Sequence, residues 1–260
     1  MTSPILVTGG TGTLGSLVVP RLREAGRTVR VLSRRTHDDG DGIEYVTGDL
    51  LKEEPVLDGV ETVLHLAGGA KGDDEATRNL MRAASRAGVR HVVHISVIGT
   101  GRVPLAWFRT QLGAERAVVE SGVPWTMLRA AQFHSLVLNV VEKMARMPVV
   151  PVPGGLRFQP VDPRDVADRL VPLTLGEPAG LVPDLAGPAV YTMGELLRGY
   201  LGAAGKRRPT LPVRMPGKAG RAYRAGENLT LEGADRGGRT WEDFLAERYA
   251  GRSAARVGSH

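Results

Sequence analysis

Ile5-Leu6-Val7-Thr8-Gly9-Gly10-Thr11-Gly12-Thr13-Leu14-Gly15 carries an apolar strand straight into a glycine-spaced turn, and an amphipathic run (Leu14, Leu17, Val18, Leu22) follows as far as Gly26. Gly10, Gly12 and Gly15 satisfy a G-x-G-x-x-G spacing; Gly9, Gly12 and Gly15 satisfy the related G-x-x-G-x-x-G spacing. Both spacings need the same turn. The early glycines permit positive φ and close approach of backbone to phosphate, and Gly15 lets the new helix press against the sheet. The helix start then offers free N–H groups and the positive end of its dipole to an anion. With Thr11, Thr13 and Leu14 between the glycines, the segment reads as a cradle for a dinucleotide pyrophosphate. The alternative is a tight glycine turn that holds no ligand.

The next strand reads as Thr28 to Ser33, and Arg34 and Arg35 stand at its carboxyl end. An acidic side chain at this place holds the ribose 2′-hydroxyl of NAD, whereas arginine pairs with the 2′-phosphate of NADP. Ser33, Arg34 and Arg35 precede any acid, the first being Asp38, so NADP(H) is favoured over NAD.

Apolar strands continue to alternate with helices. Ile43 to Val46 leads into Thr47-Gly48-Asp49-Leu50, and Thr62 to Leu66 into Ala67-Gly68-Gly69-Ala70. A helix from Asp73 to Ala87, closed by Gly88, precedes a strand from His91 to Ser96; a helix from Trp107 to Ser121 precedes a strand from Trp125 to Arg129. This alternation predicts an α/β fold with a doubly wound parallel sheet and right-handed crossovers, with ligand residues gathered at the carboxyl edge. A helix from Ser135 to Arg146, the Pro/Gly-rich stretch Pro148 to Pro163 and a short helix from Arg164 to Leu175 come next. Segments from Gly180 to Ala250 are shorter and more irregular, which suits a small substrate-capping lobe. One domain over residues 1–260 is expected, its core in about 1–150 and its lobe in about 151–250.

The chain has 260 residues, 42% of them hydrophobic, and a formal charge of +6. Its basic residues are scattered and mostly arginine, with little aromatic interleaving, so direct nucleic-acid binding is not expected. The absence of cysteine excludes disulfides, thiolate metal sites and a cysteine nucleophile. The six histidines lack ligand spacing, and no metal site is expected. The core strand begins at Ile5, and no apolar run approaches the roughly 20 residues of a membrane helix. A soluble, cytoplasmic protein is the expectation.

The glycine turn, Gly48-Asp49-Leu50, His65-Leu66-Ala67-Gly68-Gly69, Ser96, Val123-Pro124-Trp125-Thr126-Met127-Leu128-Arg129 and Phe158 to Ala167 together resemble the atypical short-chain dehydrogenase/reductase superfamily, in its NmrA-like NAD(P)H-binding branch. The resemblance implies a Rossmann-type sheet with a small C-terminal substrate lobe. It further implies that Gly9 to Gly15 carry the pyrophosphate, Arg34 and Arg35 the 2′-phosphate, Asp49 and Leu50 the adenine, and Ala67 to Ala70 the ribose and nicotinamide side. Active relatives use a Tyr-x-x-x-Lys pair with a serine at the end of the fifth strand. The matching window here is Trp107-Phe108-Arg109-Thr110-Gln111, with tryptophan and glutamine in the tyrosine and lysine positions.

Indole cannot serve as an acid near neutral pH, and a neutral amide cannot shift a neighbour's pKa by charge. Ser96, Gln111 and His134 are therefore the candidate catalytic groups, Gln111 also contacting the nicotinamide ribose. Trp107, Phe108, Phe133 and His134 are candidates for a wall around a planar substrate. For Ser96 a capping role, for His134 a structural role and for the aromatic pair ordinary packing stand as alternatives. The leading expectation is an NADPH-dependent reductase of a quinone or conjugated carbonyl, which demands little acid catalysis. A catalytically silent NADP(H) sensor with a protein partner, and a non-redox isomerase or cyclase, remain open on the same scaffold.

Overall fold

The computed structural model describes residues 3–40, 42–69 and 71–257, with side chains described no further than residue 250. In chain order these form β1 (Ile5–Thr8), α1 (Gly15–Glu24), β2 (Val29–Ser33), β3 (Ile43–Thr47), β4 (Thr62–His65), α2 (Asp73–Ala87), β5 (His91–Val97), α3 (Ala106–Val119) and β6 (Trp125–Ala130). There follow α4 (His134–Met144), β7 (Val150–Pro153), β8 (Arg157–Phe158), α5 (Pro163–Leu175), β9 (Gly180–Leu181), β10 (Leu185–Ala186) and β11 (Tyr191–Thr192). The chain ends with α6 (Met193–Ala203), β12 (Thr210–Val213), α7 (Gly217–Ala225), β13 (Asp235–Arg236) and α8 (Trp241–Val257). Two compact units share these elements: residues 1–101, 105–129 and 166–183 form the first, and residues 102–104, 130–165 and 184–260 the second.

The first unit holds a parallel sheet in the order β6-β5-β4-β1-β2-β3, with β9 beside β6. Thr8 at the end of β1 lies level with Leu32 on one side and His65 on the other. The chain fills the sheet outward from β1 to β3 and then returns to the opposite side of β1 with β4. That reversal opens a crevice at the carboxyl ends of β1 and β4, where doubly wound sheets bind ligands. Continuous Val, Ile and Leu runs make strands buried on both faces, and all of β1 is buried. Leu6, Val63, Leu80, Val92, Val118 and Met127 belong to one apolar core. Leu80 is fully buried, and burial of such a side chain contributes about 1.5–3 kcal/mol.

Helix α2 shows why these residues form helices. Thr77, Leu80, Met81 and Ala84 recur on one buried face; Asp73, Asp74 and Glu75 complement the dipole at its start, and Gly88 closes it at φ 69°.

In the second unit, β10 pairs in parallel with β13, and Leu185 of β10 lies beside Ala130. Strands β8 and β11 pair antiparallel, and β7 and β12 parallel. Val141 of α4, Leu196, Leu197 and Tyr200 of α6, and Trp241 of α8 share its core. Thr192 and Glu195 form a reciprocal capping box that opens α6. Among the described residues, no helix is long and apolar enough to cross a membrane, and no three His, Asp or Glu side chains converge as a metal site.

Candidate functional site

The glycine turn is packed so tightly that side chains are barred from it. Gly9 has φ 70°, and a Cβ there would lie 2.7 Å from the backbone nitrogen of Ala67. A Cβ on Gly15 would collide with the carbonyl oxygen of Gly9. Gly10 is buried, while Thr11, Gly12 and Thr13 form an exposed tip. Gly12 N–H donates to the Gly9 carbonyl at 3.0 Å and closes the turn. No side chain caps α1, and among the described residues the N–H groups of Thr13 and Leu14 meet no acceptor. A closed glycine cradle beside free N–H groups at a helix start fits a dinucleotide pyrophosphate. Leu14 has only its backbone to offer a ligand, because its side chain is 6% exposed and packs into the core.

At the end of β2, the Ser33 side chain is buried and its Oγ accepts the Arg35 N–H at 3.1 Å. Arg34 and Arg35 are exposed, and neither forms an ion pair among the described residues. Asp49 folds back on its own turn, its Oδ1 accepting the Leu51 N–H at 3.1 Å. The Leu50 side chain lies in the core, which leaves only its backbone open to a ligand; Asn79 Nδ2 donates to its carbonyl at 2.6 Å. Ala70 lies outside the described residues.

The loop after β4 is anchored by two connected sets of hydrogen bonds. Ala67 N–H donates to Thr8 Oγ1 at 3.2 Å, and that hydroxyl lies 2.6 Å from His65 Nδ1. On the other side, His65 Nε2 lies 3.0 Å from Thr77 Oγ1, which donates to the Asp73 carbonyl. Because the Thr77 hydrogen is already committed, His65 carries its own hydrogen on Nε2 and accepts from Thr8 at Nδ1. Burial first, then the adjacent His94, pushes the His65 pKa well below the usual imidazole range. His94 stacks on it at 5.1 Å between centroids, and burial lowers the His94 pKa to about 4. Both rings are thus neutral core groups, as their strand positions suggest. Gly69 N–H donates to Asp73 Oδ1 at 2.6 Å, and Gln111 Nε2 donates to Asp73 Oδ2 at 2.6 Å.

Trp107, Gln111 and Glu115 recur every four residues along one face of α3. Trp107 is half-buried. Phe108 is 2% exposed and belongs to the core, so it is not free to line a substrate pocket. Ser96 is 5% exposed, and its hydroxyl donates to Glu115 Oε1 at 2.6 Å. Arg129 grips the same carboxylate at both oxygens, at 2.8 and 2.6 Å. The Ser96 hydrogen is therefore committed, and its oxygen remains an acceptor. Glu115, Arg129 and Asp73 were missed in the sequence because their roles depend on pairs distant along the chain; the four-residue spacing to Glu115 was the available signal.

Phe133 and His134 lie in the second unit. Phe133 is half-buried at the start of α4. His134 has no exposed surface: Nε2 donates to the Pro160 carbonyl at 3.1 Å, and Trp241 and Phe244 pack on the ring at 5.8 and 5.3 Å between centroids. Asp162 faces its other nitrogen at 3.8 Å. Burial raises the Asp162 pKa, but the hydrogen bonds from Arg164 outweigh it and hold the carboxyl well below the usual range. The expectation of a proton-donating His134 at a substrate is corrected here, since enclosed packing closes the ring to any substrate.

The family model described as NAD(P)H-binding matches residues 9–145. The chain is 38% identical over 173 residues to the (4-alkanoyl-5-oxo-2,5-dihydrofuran-3-yl)methyl phosphate reductase of Streptomyces griseus, covering 63% of this chain. The chain spans 60% of that relative's length, less than two thirds. It is 28% identical over 212 residues to the NAD(P)H azoreductase of Xenophilus azovorans, covering 78% of this chain and 74% of the relative. In fold it matches the NADPH-dependent quinone oxidoreductase of Escherichia coli, solved in complex with NADPH, at a TM-score of 0.77 and 18% identity, covering 94% of this chain and 99% of that one. The chain belongs to the NAD(P)H-binding family and, with it, to the atypical short-chain dehydrogenase/reductase superfamily.

Proposed function

We propose that the protein is an NADPH-dependent reductase of a small conjugated carbonyl compound, of the NmrA-like kind, acting in the cytoplasm. One observation carries this reading: Ser96 and Gln111, the two polar side chains expected beside the nicotinamide, are already engaged, Ser96 with Glu115 and Gln111 with Asp73. Such a site suits an acceptor whose reduced form needs no strong acid. The cofactor supplies hydride. An acceptor with its double bond conjugated to two carbonyls takes hydride at the β carbon, the π pair moves to oxygen as a stabilised enolate, and water delivers the proton. The Streptomyces relative's name describes a butenolide of this type, which supports the class; a quinone meets the same demand.

In this reading Gly9 to Gly15 hold the pyrophosphate through backbone N–H groups, and Arg34 and Arg35 hold the 2′-phosphate. Asp49 and the Leu50 backbone border the adenine, Ala67 to Ala70 the ribose and nicotinamide side, and Trp107 the substrate. Ser96 serves as an acceptor and Gln111 as the support of the ribose loop.

The test is NADPH and NADH oxidation against alkanoyl butenolides and quinones. Turnover with NADPH preferred, and loss of most of that preference in Arg34→Ala, is the expected result. Equal affinity for both cofactors would overturn the cofactor assignment. The same engaged groups favour a second reading, a silent NADP(H) sensor: confirmed NADPH binding without turnover of any acceptor, and with cofactor-dependent association with a protein, would select it.

A further inference from the structure

The end of β2 and β3 carries a histidine that the cofactor assignment leaves without a role. His37 Nε2 lies 3.1 Å from Ser33 Oγ, and its ring stacks on Tyr45 of β3 at 4.8 Å with 29° between planes. The segment between them is folded back in a defined way: Ser33 Oγ accepts the Arg35 N–H at 3.1 Å, and Asp39 Oδ1 accepts the Tyr45 N–H at 2.7 Å. The hydroxyl, the imidazole and the two arginines thus share the strand ends where the adenosine ribose binds in this fold. The charged groups around His37 are Arg34, Arg35, Asp38 and Asp39 on its own segment. On β2 and β3 stand Arg30 and Glu44, paired with each other at 2.9 Å, and the Tyr45 phenol.

We propose that His37 is a specificity-determining residue for the cofactor's 2′ position, favouring a 2′-phosphate when its ring is charged and relaxing that preference when it is neutral. The inference rests on the NADPH reading above. Ser33 Oγ has one hydrogen and two lone pairs, and Arg35 N–H occupies one pair. A charged imidazole donates Nε2–H to the second pair, so the hydroxyl hydrogen is free for a phosphate oxygen, and a third positive charge joins the two guanidinium groups. A neutral ring with its hydrogen on Nδ1 instead draws the Ser33 hydrogen to Nε2. Ser33 then presents a lone pair, which a ribose 2′-hydroxyl can donate to and a phosphate oxygen is repelled by.

The experiment is fluorescence titration of NADPH and NADH binding at pH 6.5 and 8.5, for wild type, His37→Gln and His37→Lys, with thermal melts confirming folding. In the wild type, the ratio of NADH to NADPH Kd should be roughly three- to tenfold larger at the lower pH, the range of one partly exposed charge contact. His37→Gln should flatten this dependence, and His37→Lys should hold the high ratio at both pH values. Titration of the 2′-phosphate itself is common to all three proteins and cancels in the comparison. A wild-type preference for NADPH whose pH dependence persists in His37→Gln overturns this inference alone. Equal Kd values for the two cofactors at both pH values overturn the cofactor assignment and this inference together.

Discussion

Gln111 and Asp73, 38 residues apart in sequence, meet at 2.6 Å, and the second oxygen of the same carboxylate holds Gly69. Burial raises the Asp73 pKa, while the hydrogen bonds from Gly69 and Gln111 oppose that rise. Gln111 therefore supports the loop after β4. Gln111→Leu leaves a carboxylate oxygen without its donor, at a cost of about 1–3 kcal/mol, and should lower both the melting temperature and NADPH affinity. Gln111→Lys should pair with Asp73, so that stability holds while NADPH turnover stays near wild type. A large gain in kcat with a new limb in the pH–rate profile would show instead that the lysine reaches the ribose.

Gly15→Ala places a methyl group against the Gly9 carbonyl. The turn must open to admit it, costing roughly 2–3 kcal/mol as overpacking and spoiling the phosphate cradle. Thermal melts should show the loss of stability and NADPH titration a loss of binding. Binding at wild-type strength would mean that the cofactor phosphates do not rest on this turn.

Acid should destabilise the fold through its stacked histidines. The folded pKa of His94 falls from the usual 6.5 to about 4, chiefly through burial, and that of His65 is lowered also. As pH drops below 6.5 the unfolded chain takes up protons that the folded chain refuses, so stability declines until the folded pKa is reached. For His94 the loss across that window is roughly 3 kcal/mol. Urea melts between pH 7 and 4.5 should show the decline, with a shallower slope in His94→Phe. An unchanged slope in that variant would assign the acid sensitivity elsewhere.

Glu115 joins Ser96 to Arg129, and the two ends of the network should respond differently. Glu115→Gln removes the charge that receives both Arg129 hydrogen bonds, and because the Arg129 side chain stays 28% exposed the cost is about 1–3 kcal/mol. Ser96→Ala leaves the ion pair intact and should cost about 1 kcal/mol. Chemical denaturation compares them directly. If Ser96 also accepts from substrate or cofactor, Ser96→Ala will lower kcat/KM by more than its small stability loss accounts for.

Much of the fold was legible because its determinants are local. Glycine spacing specified the turn, and the alternation of apolar strands with amphipathic helices specified a parallel sheet. Boundaries shifted only slightly: β6 extends to Ala130, and α4 opens at His134 rather than Ser135.

By itself, then, the sequence determined the glycine turn and the α/β class, since both follow from residue order over a few turns of chain. Only the tertiary structure decided which polar groups are free. It commits Ser96 to Glu115 and Gln111 to Asp73, and it encloses His134 behind Trp241 and Phe244. The physical reason is that hydrogen-bond commitment and desolvation arise from packing between residues distant along the chain. A serine, a glutamine and a histidine read alike in sequence whether they face a ligand or a neighbouring side chain.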